Sequence, residues 1–268
     1  MTPCRNSPAQ RRALKDVTLC AVSSSNLEAT IRAMEASLQE VEVARALLFT
    51  HENLAARDIT VSPEIEIVPI KRIDSSIAYS EFILSYLPDH IQTSYGLIVQ
   101  WDGHVIDAER WEEVFLDYDY IGASWPQFND GHDVGNGGFS LRSRRLMEAC
   151  RDVDFVAHHP EDVAIGRTNR AMLETKGMVF APAEVANRFA AERAGDPDAS
   201  FGYHGVFLMP DVLGSEEFWN TFRTLDDRAT FRHDFGAILA AAFRGKDAVL
   251  RSLIFIGICL KDFLKRRP

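Results

Sequence analysis

Apolar positions along this chain follow two rhythms that alternate through its first hundred residues. Short continuous runs, Val17–Val22 (VTLCAV), Ala44–Thr50 (ARALLFT), Ile65–Ile70 (IEIVPI) and Gly96–Gln100 (GLIVQ), read as buried strands. Leu27, Ile31, Met34 and Leu38 recur at helical spacing, so residues 27–40 predict an amphipathic helix, with Ser23-Ser24-Ser25-Asn26 as its turn and cap. A second helical stretch runs from Ile77 to Leu87, before Pro88. Strands alternating with helices predict an α/β fold with a mostly parallel sheet.

The second half is less regular. Ala108–Phe115 predicts a helix, Tyr120–Ala123 a short strand, and Val134–Leu141 (VGNGGFSL) a glycine-rich turn entering a strand. Helices follow over 143–150 and from Pro160 to Lys176, closed by Gly177, and Met178–Ala181 predicts a further strand. From Ser215 onward the pattern is helical. No repeat or low-complexity linker divides the chain. Residues 1–16 read as a flexible basic lead-in, 17–212 as the sheet-bearing domain, and 213–268 as a helical extension packed on the same domain.

Composition narrows the function classes. The 268 residues include 46% hydrophobic and 25% charged residues, as a globular protein does, and the net charge is −10. That excess disfavours a nucleic-acid-binding role, which needs a basic face. The four cysteines, at 4, 20, 150 and 259, lack C-x-x-C spacing and read as reduced thiols of a cytoplasmic protein. No apolar run reaches the ~18–20 residues of a membrane span. Ser252–Leu260 (SLIFIGICL) lies between Arg251 and Lys261 and is followed by Lys265, Arg266 and Arg267. It reads either as a buried terminal helix or as a helix making peripheral contact with an anionic membrane.

Familiar nucleotide signatures are missing. No G-x-G-x-x-G follows the first strand, and neither a phosphate loop nor a nucleophile elbow occurs. The candidate chemistry lies elsewhere, at the carboxyl ends of strands where open α/β sheets bind ligands. The Gly96 strand delivers Gln100, Trp101 and Asp102, and a carboxylate beside Gly103 can hold a hard divalent cation, although Asp-Gly is also an ordinary turn. Gly135-Asn136-Gly137-Gly138 can set backbone N–H groups against a sugar, or be a tight turn needing positive φ. Glu161-Asp162 sits in a helix's first turn, an ordinary helix start that can also present a general base. His204 stands between Gly202 and Gly205, where approach is easy.

Taken in order, LIVQWDG (97–103), YDYIGASW (118–125), VGNGGFSLRS (134–143), HPEDV (159–163), FAPAEVANRFAAE (180–192) and FGYHG (201–205) resemble a bacterial family of uncharacterised domains grouped with GT-A-fold glycosyltransferases. The resemblance covers about residues 17–210. It implies a Rossmann-like sheet that binds a nucleotide-sugar donor with Mn²⁺ or Mg²⁺, and transfer to a saccharide or lipid-linked acceptor in surface polysaccharide biosynthesis. It places Gln100 and Asp102 at the D-x-D position, with Gln100 replacing the first acid, and His204 at the late metal-binding histidine. It implies Asp162, or less directly Glu161, as general base of an inverting transfer, the helix dipole keeping the carboxylate ionised. Asn136, Gly137, Gly138 and Trp125 fall on the sugar or acceptor side, and Ser23, Lys71 and Tyr79 on the donor side. A non-catalytic nucleotide- or carbohydrate-binding module on the same scaffold, suggested by Gln100, and more remotely a sugar nucleotidyltransferase stand as alternatives.

Overall fold

The computed structural model describes residues 11–243 and 247–265. Cys4, Arg5, Arg266 and Arg267 lie outside them. In chain order the main elements are strand β1 (Arg12–Ser23), helix α1 (Leu27–Glu40), strands β2 (Val41–Thr50) and β3 (Ile65–Pro69), helix α2 (Ser76–Glu81), and strands β4 (Tyr95–Ile98), β5 (Tyr120–Gly122) and β6 (Ser140–Ser143). Helices α3 (Arg144–Ala149), α4 (Glu161–Val163), α5 (Arg170–Thr175) and α6 (Ala183–Phe189) precede the two-residue strands β7 (Ala190–Ala191) and β8 (Gly202–Tyr203). The chain then runs through α7 (Met209–Val212), α8 (Ser215–Thr224), α9 (Phe235–Ala242) and α10 (Ala248–Lys265).

Six strands form one sheet in the order β3-β2-β1-β4-β6-β5. The pairs β3–β2, β2–β1 and β1–β4 are parallel, whereas β6 runs antiparallel to both of its neighbours. The continuous apolar runs have a direct cause: successive side chains point to opposite faces, and both faces are covered. Leu19, Ala21, Leu48, Leu97 and Val99 pack with α1 and α6, while Cys20, Leu47, Phe49 and Ile98 pack with Phe82, Ile83 and Leu87 on the other face. The fold is therefore α/β, a mostly parallel sheet flanked by helices and followed by a helical extension.

Several local expectations differ. β1 starts at Arg12 rather than Val17: its first residues pair with β2, and Leu14 is buried, so the end of the expected lead-in is strand. The stretch 108–115 forms 3₁₀ turns at Ala108–Arg110 and Glu113–Asp117 instead of an α-helix. Residues 178–181 contribute only an isolated bridge, Tyr120 to Phe180. The helix expected over 160–176 is broken by a π-helical turn at Ala164–Thr168 and by Asn169, whose side chain bonds the backbone of Val156 and Ala164. A similar π-turn, Phe82–Tyr86, continues α2.

The extension packs on the domain. Phe218, Trp219, Phe222, Phe231 and Phe255 form a cluster with Tyr203 and Ala191. Trp101, just past β4, stacks on Phe231 with centroids 6.0 Å apart. Asn26 was expected to cap α1, but it adopts a left-handed conformation and its side chain makes no capping bond. Its amide instead clasps Asp227, donating to the carbonyl at 2.8 Å and accepting from the N–H at 2.9 Å. Cys20 and Cys150 are buried free thiols, and Cys259 is also free.

Candidate functional site

The sheet topology explains how distant segments converge. β1, β3 and β4 point the same way, so the loops after them, around Ser23–Ser25, Arg72–Ser76 and Gln100–Trp101, meet at one edge. β6 runs in reverse, so the residues preceding it, Asn136–Gly138, reach that same edge. The parallel pair β7 and β8 ends there too and sets Glu192 beside His204, with the His204 N–H donating to the Ala191 carbonyl at 3.0 Å. Together they line a cleft of about 610 Å³, completed by Tyr79, Trp125, His159, Asp162 and Asp227.

Of the twelve residues singled out from sequence, ten line this cleft: Ser23, Tyr79, Gln100, Trp125, Asn136, Gly137, Gly138, Glu161, Asp162 and His204. Lys71 does not; it is exposed outside the lining, and its neighbour Arg72 occupies the wall. Asp102 is not among the lining residues; it is 4% exposed, and its Oδ1 lies 3.4 Å from Nε2 of His204, which is. Trp125 is mostly core, packed edge-on against Phe128 and over Gly135, with part of the ring facing the cleft.

The acid pair splits by environment. Glu161 is buried: its Oε1 accepts from Arg142 at 3.1 Å and its Oε2 from the Ser80 hydroxyl at 3.2 Å. Arg142 is itself 1% exposed, and its guanidinium lies 5.3 Å from the Tyr120 ring centre. One Glu161 oxygen is thus committed to a buried ion pair with Arg142, although the residue also lines the cleft. Asp162 borders the cleft, its Oδ2 accepting from the Gly137 N–H at 3.1 Å and its Oδ1 from the Val163 N–H at 2.8 Å. Burial and the Glu161 charge raise its pKa above the ordinary aspartate value, outweighing those N–H donors and Arg142. The helix dipole expected to keep it ionised is therefore not decisive; α4 is only three residues long.

His204 is the hub of the opposite wall. Its Nδ1 lies 3.2 Å from Glu192 Oε1, and its Nε2 lies 3.4 Å from Asp102 Oδ1 and 3.3 Å from Gln100 Oε1. Burial opposes charging the ring, but Asp102 and Glu192 prevail and hold its pKa well above the ordinary histidine value. Gln100 Nε2 donates to the Tyr79 hydroxyl at 2.8 Å, which fixes the amide with its oxygen toward His204.

The glycines of the 135–138 turn serve space rather than positive φ. The left-handed residue is Asn136, at φ 59°. A Cβ on Gly135 would overlap the Trp125 ring, one on Gly137 the Glu161 carboxylate, and one on Gly138 the His204 imidazole. Gly138→Ala is therefore expected to cost about 1–3 kcal/mol through overpacking and to shift the His204 ring resonances. Denaturant unfolding and an imidazole ¹H–¹⁵N spectrum check this; unchanged ring signals would mean the imidazole does not sit against residue 138.

Among the described residues, no group of three or more His, Cys, Asp or Glu side chains is arranged to hold a metal ion. The donor set here is smaller, and its chemistry suits a hard cation. Asp102 Oδ1 is buried without a hydrogen bond, and His204 Nε2 and the Gln100 amide oxygen lie within 3.4 Å of it or of each other. Glu192 on Nδ1 is the outer partner that orients a metal-binding imidazole. Carboxylate, imidazole and amide oxygen fit Mn²⁺ or Mg²⁺ as an incomplete shell, the kind that substrate phosphates finish.

Sequence reasoning passed over Glu192, Arg142 and Arg72. Glu192 closes the FAPAEVANRFAAE block, and Arg142 lies within VGNGGFSLRS, so both were visible but carried no spacing signal. Only the packing gives them a role.

No curated protein matches the sequence. Among solved structures, the chain is similar to the mannosyltransferase PcManGT from Pyrobaculum calidifontis in complex with GDP-Man and Mn²⁺. The identity is 10% and the TM-score 0.44, over 95% of this chain and 77% of that one. Residues 62–204, more than half of the sequence, match the family described as "Protein of unknown function (DUF5672)", and the chain belongs to that family.

Proposed function

We propose that this protein is a glycosyltransferase of GT-A type. It moves a sugar from a nucleotide-sugar donor to a saccharide or lipid-linked acceptor, with inversion, in surface polysaccharide synthesis on the cytoplasmic side of the membrane. The observation that carries the reading is the convergence, at one sheet edge, of a cleft-facing carboxylate with raised pKa and an imidazole–amide–carboxylate wall. The two roles that glycosyl transfer requires are thus separated across one cleft of ligand size.

Asp162 accepts the proton of the acceptor hydroxyl as that oxygen attacks the anomeric carbon from the face opposite the leaving diphosphate. The Gly137 N–H holds the carboxylate in place. Glu161 and Arg142 stay paired beneath it and keep the turn rigid. On the other wall, Gln100, Asp102 and His204 would hold the divalent cation. When bound, that ion offsets charge developing on the nucleoside diphosphate. Arg72, in the cleft wall and paired with Asp74 at 2.9 Å, offers guanidinium N–H donors on the donor side.

Two measurements test the proposal. A panel of nucleotide sugars should yield one donor that stabilises the protein and releases its nucleoside diphosphate when an acceptor is supplied. Asp102→Ala should weaken donor binding in the presence of Mn²⁺ by roughly tenfold or more, read by calorimetry; unchanged affinity would remove the cation role. A non-catalytic binding module is favoured by one feature: Gln100 is a neutral amide, and it is already held between Tyr79 and His204. Donor binding without any diphosphate release across the panel would select that alternative.

A further inference from the structure

Seven of the twelve large apolar side chains that are exposed among the described residues lie between positions 243 and 260. Six of them are on α10: Val249, Leu250, Leu253, Ile254, Ile256 and Leu260, between 38% and 67% exposed. At ~100° per residue they fall on a single arc of roughly 160°. The opposite side of α10 is fully employed. Arg251 bonds Ser215 and Glu216, and Phe255 packs on Phe222, Phe231 and Phe235. The apolar arc is therefore not a core face left over by poor packing; a second face already anchors the helix.

Charge says what covers it. Residues 244–268 carry seven Lys and Arg against two Asp, in a chain whose net charge is −10. One of the seven, Arg251, is turned inward, and Lys261 is exposed at the edge of the arc. No helix among the described residues is long and apolar enough to cross a membrane. An apolar arc with basic residues before and after it matches an anionic lipid surface, with the helix lying in the interface plane. A second copy of the chain fits less well, because a two-fold contact would bring the same basic segments together.

We propose that α10 is an interfacial helix that docks this protein on anionic phospholipid bilayers. The proposal goes beyond glycosyl transfer and does not depend on it, since vesicle binding needs no donor. It is tested by sedimenting the full chain with vesicles of phosphatidylcholine alone or containing about one-third phosphatidylglycerol. Binding should be at least ~10-fold stronger on the anionic vesicles and fall in high salt. The variant Leu253→Glu/Leu260→Glu should lose binding at least ~10-fold while keeping the wild-type circular dichroism and thermal midpoint, because both side chains are exposed. Absence of anionic-vesicle binding, or equal binding by the variant, overturns the proposal. So does a wild-type dimer in light scattering that the variant dissolves without any vesicle binding, an outcome that assigns the arc to a second copy.

Discussion

Asp162→Asn is expected to transfer sugar some ~10²–10⁴-fold more slowly than wild type while binding donor nearly as well. The amide keeps an oxygen for the Gly137 N–H, so the turn survives, but it cannot take a proton. Steady-state transfer and donor calorimetry on the same preparation separate the two effects; comparable transfer in the variant would remove Asp162 as the base. The pH dependence carries a second signature. A base must be ionised to act, and burial with Glu161 nearby raises the Asp162 pKa above 3.8. The transfer rate of the wild type should therefore fall, as pH drops, through a value above that of an ordinary aspartate. Stability runs the other way: ionising Asp162 costs more in the folded chain than in the unfolded one. Its contribution thus becomes unfavourable as pH rises from 3.8 through the folded value, the reverse of a salt-bridged carboxylate.

Arg142→Met should cost about 3–5 kcal/mol of stability, because it leaves the buried Glu161 carboxylate without its cation. The double variant Arg142→Met/Glu161→Met should be much less destabilised than the sum of the single ones, since no charge is then left unpaired. Urea unfolding of the four proteins gives the cycle. A single-variant loss below about 1 kcal/mol would mean that the pair contributes little to holding the turn. The pair also lies under the cleft: Arg142 Nη2 is 3.5 Å from the Gly137 carbonyl, and the Gly137 N–H holds Asp162. Loss of stability should therefore come with loss of transfer.

The acidic chain still needs positive charge where a dianionic donor would sit. In the cleft wall Arg72 is paired with Asp74 at 2.9 Å, so under the proposed reading that charge would come from the cation that Gln100, Asp102 and His204 would hold. Lys71, the residue that position after a strand suggests, points elsewhere. A shift of one residue along an irregular loop exchanges wall for solvent, and no pattern in the chain encodes that choice.

What the sequence determined by itself was the set of apolar runs and their alternation. Runs such as VTLCAV and GLIVQ must be buried on both faces, and that demand alone requires a largely parallel sheet with helices on either side. Gln100, Asp162 and His204 were equally legible, the first at the end of such a run, the second at a helix start and the third between glycines. Only the tertiary structure decided how each member of such a pair is held. Glu161 and Asp162 are adjacent, and neighbouring side chains at a helix start diverge by ~100°. Arg142, nineteen positions before Glu161, ties that carboxylate into a buried ion pair, while Asp162 is held by backbone N–H groups; both border the cleft. The reversed direction of β6 delivers Asn136–Gly138 to the same edge as β1 and β4, and the two-residue pair β7–β8 brings Glu192 against His204. Those choices are made by contacts between segments far apart in the chain, and local hydrophobic rhythm carries no record of them.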